Sequence, residues 1–305
     1  MRARLAARLA LVGLAPLVLG ASRAEVRPRV IGGQDSPPAR DAAVLLVTDD
    51  PALSGRACTA VMLAPRLALT ARHCVSRSDP SAECLSDGTA RSGGAPGPDL
   101  SAGSLFVVSG ALLPDLSALS RSAPRGVAIL HEGAASLCDA DVALVVLDRD
   151  VVDATLAPVR LDRATAPGEP MIVVGWGATA DASLPRVRQE RSAAVTRVGP
   201  APAPELALGP RELEVGEGPC VGDSGGPLLA ASSGAVVGVL SRGGRPPSDD
   251  DPRGCRDAKN VYASISSRAE LLRAAYTRAG AELWLEGTPR PEARGDEIAG
   301  GCAAR

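Results

Sequence analysis

From Ala42 onward the chain is a succession of short apolar runs divided by glycine, proline and aspartate. They include AAVLLVT (42–48), LFVVSGALL (105–113), VALVVL (142–147), MIVVGWG (171–177) and AVVGVLS (235–241). Runs of strand length, rich in Val and Leu and bounded by turn residues, predict an all-β sandwich or barrel. Long helical patterns are missing from the middle of the chain. The stretches DPSAECLSDGTARSGGAPGPD (79–99) and RGGRPPSDDDPRG (242–254) predict loops by composition. One helix is predicted late. Ser267 and Glu270 have capping-box spacing, Leu271, Leu272, Ala275, Tyr276 and Ala279 share a face, and Gly280 ends the pattern. The segment TPRPEARGDEIAGGCAAR (288–305) reads as a disordered tail, and no internal repeat is visible.

The chain's 305 residues suit one large β-domain or two packed halves. Hydrophobic residues make up 45% and aromatic ones only 2%, so the core must be built from Val, Leu and Ala. A net charge of −2 gives no basic surface for nucleic acid or an anionic membrane. Lys259 is the only lysine, and the arginine excess reads as genomic coding bias of a bacterial kind.

The N-terminus, MRARLAARLALVGLAPLVLGASRA, places arginines before an apolar run from Leu9 to Leu19 and then small residues. This is a secretory signal pattern, with Ser22 and Ala24 as the small residues before a cut after Ala24. The run is too short to span a bilayer comfortably, and no cysteine at the cut offers a lipid anchor. The expected location is therefore extracellular or periplasmic, with no membrane contact after signal removal. Export makes disulfides the default state of the seven cysteines. No CxxC pair exists and there are two histidines, so no metal site is expected; Cys302, in the tail, is the natural odd thiol.

The candidate chemistry centres on GEGPCVGDSGGPLL (216–229), in which Ser224 stands between an aspartate and two glycines. A serine hydroxyl needs a base, a group that orients the base, and donors for the oxyanion. Only His73, in LTARHC (69–74), and His131, in AILHEG (128–133), offer an imidazole, and His131 has the setting of a surface turn. Gly222 has no side chain, so its N–H can point at a substrate oxygen beside that of Ser224. Asp141 opens an apolar strand, where a carboxylate needs a partner; Asp139 is a nearby rival, and the spacing to VALVVL favours Asp141.

These motifs resemble those of the chymotrypsin-like (trypsin-fold) serine proteases. TARHC resembles the family's histidine motif, DADVALVVLD (139–148) its aspartate strand, VVGWG (173–177) the start of its second barrel, and RVIGG (29–33) its activation site. GDSGGP (222–227) is identical to the nucleophile motif. All come in the family's order over about residues 30–280. The resemblance implies two packed antiparallel six-stranded β-barrels with a C-terminal α-helix, split near 155–170. It also implies a signal peptide at 1–24, a propeptide at 25–29, a protease domain at 30–280 and a tail at 281–305. The implied activity is a secreted serine endopeptidase acting on proteins or peptides, a monomer without cofactor. His73, Asp141 and Ser224 would form the triad, and Gly222 and Ser224 the oxyanion hole. An activating protease would cut after Arg29, freeing Val30 to pair with Asp223.

Cys58–Cys74 would be the family's histidine-loop disulfide, and Cys220–Cys255 would join two walls of the specificity pocket. Cys84–Cys138 would be a third bridge with no counterpart in the family's core. Gly218, Pro219, Ser241, Gly243 and Asn260 would form the pocket. Where trypsin-like members carry an aspartate, Gly218 puts no charge, so the expected preference is for uncharged residues on the acyl side of the cut bond. A slipped alignment of CRDAKNVY (255–262) would bring Asp257 there instead and restore a basic preference, and Arg242 would favour an acidic one. Two rival classes are a protease-like binding protein without catalysis and an esterase. An α/β-hydrolase esterase calls for strand–helix alternation and the order Ser, Asp, His, which this chain lacks.

Overall fold

The computed structural model describes residues 31–53, 56–79, 81–113, 115, 122–178 and 185–292. The expected signal segment, the propeptide with Arg29, Val30, and Cys302 lie outside the described residues. The N-terminal half holds β1 (Gln34–Asp35), β2 (Ala43–Thr48), β3 (Ala57–Ala64), β4 (Leu67–Thr70), β5 (Ala82–Cys84), β6 (Ala90–Gly93), β7 (Leu105–Val108), β8 (Gly126–Leu130) and β9 (Ala143–Leu147). The C-terminal half holds β10 (Pro170–Gly175), β11 (Gln189–Val198), β12 (Glu212–Val215), β13 (Pro227–Ala230), β14 (Val236–Gly243), β15 (Asn260–Ser264) and the helix α1 (Ala269–Ala279).

The fold is the all-β one expected. In the second half the order β11-β10-β13-β14-β15-β12 returns from β12 to β11 and closes a six-stranded barrel, with β1 added at the other end of β11. In the first half the order is β7-β2-β3-β4-β9-β8, and its edges meet only at the bridge between Phe106 and Arg125, so this sheet is half-closed. Every residue of β2, β4 and β9 is buried. Both faces of these strands are covered, which is why they read as continuous apolar runs rather than alternating ones. In β2, Val44 and Leu46 face the interior of the first sheet, and Leu45 and Val47 pack on Phe106 and Trp176. The two halves and α1 meet in one core, to which Val61, Leu144, Val174, Leu229, Leu272 and Tyr276 contribute.

Two local expectations change. The 79–99 stretch carries the β5–β6 hairpin, whose residues are half-buried or exposed; with no apolar face it left no alternation to read. The helix cap shifts as well. Arg268, not Ser267, is the N-cap residue, and it makes no side-chain cap hydrogen bond. Gly280 ends the helix in the left-handed conformation, as expected.

Three arginines are buried completely: Arg160, Arg188 and Arg268. Arg188 donates to Ser36 Oγ at 3.0 Å, the Ala43 carbonyl at 2.9 Å and Asp41 at 2.8 Å, tying the start of the described chain to the second barrel. Arg160 lies between the halves and holds Glu286 with two hydrogen bonds, 2.5 and 2.8 Å, and Glu169 at 2.6 Å. Beside it, Val159 forms parallel bridges with Val236 and Leu285, so the chain beyond α1 folds back onto the inter-barrel connection.

The hydrogen bonds from Arg160 hold the Glu286 carboxyl down at about 2, against the counter-effect of burial. Its contribution is present above the ordinary glutamate range and is lost as pH falls toward 2. Arg160→Met should cost about 3 kcal/mol at pH 7, because it removes the buried cation between two carboxylates and leaves them the exposed Arg163. Glu286→Gln should make the acid limb shallower. Urea denaturation at about pH 7 and about pH 3 checks both, and equal losses for Arg160→Met at the two pH values would refute the linkage.

Candidate active site

Register brings the first two groups together. Thr70, the last residue of β4, faces Ala143, the first of β9. His73 follows Thr70 on a short 3-10 turn (Arg72–Cys74), and Asp141 lies two residues before Ala143, the start of β9. Both are buried. Asp141 accepts the His73 backbone N–H at 2.9 Å through one oxygen. Its other oxygen meets His73 Nδ1 at 2.8 Å and accepts from Ser241 Oγ at 2.7 Å. Burial pushes the Asp141 carboxyl upward, but His73 and these hydrogen bonds outweigh it and hold the group below the usual carboxylate range. A carboxylate facing Nδ1 selects the tautomer with hydrogen there and leaves Nε2 as the acceptor. The rival carboxylate, Asp139, turns away to Arg211, with its Oδ2 2.7 Å from Arg211 Nε.

Ser224 and His73 line one cavity of about 350 Å³ between the two halves. Nε2 stands 3.7 Å from Cys74 Sγ, and among the described residues no hydrogen bond joins it to the Ser224 hydroxyl. Such bonds tighten when substrate arrives. The Thr59 N–H donates to the Ser224 carbonyl at 2.9 Å, and Thr59 Oγ1 donates to the Gly222 carbonyl at 3.1 Å, so β3 grips the serine loop from below.

The oxyanion donors follow from peptide geometry. The Val221 carbonyl accepts from Ala178 N–H at 2.8 Å. Carbonyl and N–H point in opposite directions in a trans peptide, so the Gly222 N–H of the same unit is turned away from Ala178. Gly222 has φ +104°, and a Cβ there would lie 3.2 Å from Gly177 Cα. Only glycine suits that combination.

Asp223 is fully buried beneath this loop. It accepts Gly177 N–H at 2.7 Å and Cys220 N–H at 2.9 Å. Burial still raises its carboxyl to about 6. A Cβ at Gly175 or Gly177 would fall 2.1 or 2.0 Å from its oxygens, so these two glycines form its cradle. Sequence reasoning saw VVGWG only as a strand motif; the signal that marks the glycines is their alternation about Trp176. Ile31 packs nearby with Ala178, Cys220 and Cys255.

The disulfides Cys58–Cys74, Cys84–Cys138 and Cys220–Cys255 are all present. Cys58, His73 and Cys74 fall within 4.8 Å of one another, a metal-like trio, but both sulfurs are bonded to each other. In the 79–99 stretch Asp79 and Asp87 close local turns through Ser81 and Thr89, and Asp99 lies 2.8 Å from His131 Nε2. Of the expected pocket residues, Pro219, Ser241, Gly243 and Asn260 line the cavity, whereas Gly218 stands outside its lining. Ser241 has the further role of holding Asp141, which sequence reasoning did not assign. Asn260 Nδ2 donates to the Gly216 carbonyl at 3.0 Å. The Asp257 side chain is 87% exposed, and Arg242 is bound by both oxygens of Glu212.

The family model described as Trypsin matches residues 101–265, a span that contains Asp141 and Ser224 and begins after His73. Among solved structures, human heparin binding protein matches with a TM-score of 0.54 and 19% identity, covering 82% of this chain and 98% of that one. A mutant of human heparin binding protein (CAP37) matches with a TM-score of 0.53 and 19% identity, covering 80% and 94%. At this identity the likeness speaks for the fold alone.

Proposed function

We propose, from the premise that this chain belongs to the trypsin family, that it is a serine endopeptidase working through an acyl-enzyme. The observation that carries this is the buried Asp141–His73 pair, 2.8 Å apart, with His73 lining the same cavity as Ser224. In the reaction Ser224 attacks the substrate carbonyl and gives its proton to His73 Nε2. Asp141 holds Nδ1–H and stabilises the imidazolium. The Gly222 and Ser224 N–H groups take the oxyanion, each such donor typically being worth roughly 3–4 kcal/mol in the transition state. His73 then hands the proton to the leaving amine, and water repeats the sequence to free the acid. Every group needed is a side chain or backbone amide, so the assignment calls for no cofactor.

We assign the protein to a secreted monomer made as a zymogen cut after Arg29. Three disulfides suit an oxidising compartment, and no helix among the described residues is long and apolar enough to cross a membrane. Fluorophosphonate labelling of the processed protein tests the activity. Labelling at Ser224 with peptide cleavage is expected; neither, in folded protein, would leave the binding-protein reading. Binding of heparin, which the names of the two structural neighbours carry, is not favoured. The chain's net charge is −2, and many of its arginines are paired with carboxylates.

The acyl-side pocket is assigned to small or medium uncharged residues. The neutral Asn260, tied to Gly216, supports this, as does the outward placement of Asp257. A buried cation without a counter-charge is strongly disfavoured. Matched substrates ending in Ala, Leu, Phe, Arg, Lys and Glu should show Ala or Leu above Arg and Lys by about tenfold or more in kcat/KM. A basic residue winning by that margin would overturn the pocket assignment.

A further inference from the structure

We infer that Arg56 makes the leaving-group side of the cleft select an acidic substrate side chain, an assignment that rests on the protease reading above. The cavity is walled by both halves of the molecule. Asn260, Gly243 and Cys255 come from the second half, and Arg56, with Ala57 and Cys58 at the start of β3, comes from the first, where Cys58 is bonded to Cys74 beside His73. Ser224 and His73 line the same cavity. A peptide whose acyl residue lies on the Asn260 side therefore runs past His73 toward the first-half wall that holds Arg56.

Arg56 is half-buried there, and burial lowers the affinity of its guanidinium for the proton. The cation has lost water without gaining a close partner. Asp141 and Asp79 act on it from a distance, and among the described residues no carboxylate lies within ion-pair reach of 4.0 Å. Asp141 is closed off by His73 and Ser241, and Asp79 by the Ser81 N–H. The other arginines at the cavity differ: Arg242 is committed to Glu212, and Arg253 is exposed beside Cys255. No acidic side chain lines the cavity among the described residues. A carboxylate arriving at Arg56 gains charge-assisted hydrogen bonds, and an ammonium in its place meets a desolvated like charge.

Two measurements test this. The first uses processed enzyme and peptides that share an acyl half and carry Glu, Ala or Lys in the first two positions after the cut. Glu should exceed Ala by about tenfold in kcat/KM, and Ala should exceed Lys. Arg56→Glu should invert the order, and Arg56→Gln, a milder change, should flatten it. The preference should shrink with added salt. The second measures binding of the same peptides to Ser224→Ala by fluorescence anisotropy, and needs no turnover. Cleavage without an acidic preference, or a preference that survives both Arg56 variants, overturns the inference and leaves the protease reading intact. A protein that neither cuts nor labels, yet binds the acidic peptide through Arg56, overturns the protease reading and keeps the acidic-peptide site.

Discussion

Ser224→Ala should lower kcat by about a million-fold, and His73→Ala by about as much. The double variant should be no slower than either single one, because nucleophile and base act as one unit. Asp141→Asn should also be severely impaired, since an amide donating toward Nδ1 favours the wrong imidazole tautomer. Ser224 is half-buried at the cavity, so its alanine variant should melt as the parent does. His73 is different, because its ring faces the buried Asp141 carboxylate. His73→Ala leaves that charge with only the Ser241 hydroxyl and one backbone N–H, and should lose about 1–3 kcal/mol of stability. Single-turnover kinetics with an ester substrate and thermal melts check both parts. Strongly additive losses in the double variant would place the nucleophile elsewhere.

Asp223→Asn should abolish the activity of the processed enzyme by about three orders of magnitude while stabilising the unprocessed chain. The reasoning starts from the carboxyl raised to about 6. A folded value above the ordinary 3.8 means that stability is fully present below 3.8 and is lost as pH rises through 6. Above pH 6 the ionised group costs roughly 3 kcal/mol, about two pH units' worth. The proposed cut after Arg29 frees an ammonium at Val30, next to Ile31, which already packs with Cys220, whose N–H donates to Asp223. Pairing with that ammonium relieves the cost and fixes the loop that bears the Gly222 N–H. Unprocessed protein should therefore be less stable at about pH 8 than at about pH 4, and processing should narrow the difference. In the unprocessed chain, Asp223→Asn should remove the pH dependence between about 4 and 6. Full activity with residues 25–29 still attached would sink the activation proposal.

The features legible in the sequence are those whose meaning is local. GDSGGP, TARHC and the aspartate before VALVVL are short and self-contained, and the apolar runs report strands that are buried on both faces. What was not legible depends on partners far apart in the chain. Glu212 and Arg242 are 30 residues apart, and Asp139 and Arg211 are 72 apart. Nothing near either member marks it as paired. The arginine excess reads as coding bias, yet the buried Arg160 and Arg188 are crossbars of the fold. The fork of Arg160 reaches two acidic residues at once, and Arg188 also satisfies backbone carbonyls, which a lysine has too few fixed donors to copy. The β5–β6 hairpin escaped because its order is fixed by Cys84–Cys138 rather than by an apolar face. The Gly175–Gly177 cradle escaped because a missing side chain signals nothing until its neighbour is known.

The parallel bridges at Val159 bear on how such a chain is made. A ribosome delivers residues in order, and apart from β1, which joins β11, both sheets assemble from segments that lie within their own halves. The Val159 N–H, however, bonds to the Trp284 carbonyl, and its carbonyl accepts from Glu286 N–H. Those partners arrive more than a hundred residues later. Until then the middle of the chain has an unmade seam, with the Arg160 cation facing carboxylates that are not all present. The two sheets can thus form before this seam is made, but it closes only once residues 284–286 have been added, and a product interrupted before them carries both sheets without the latch.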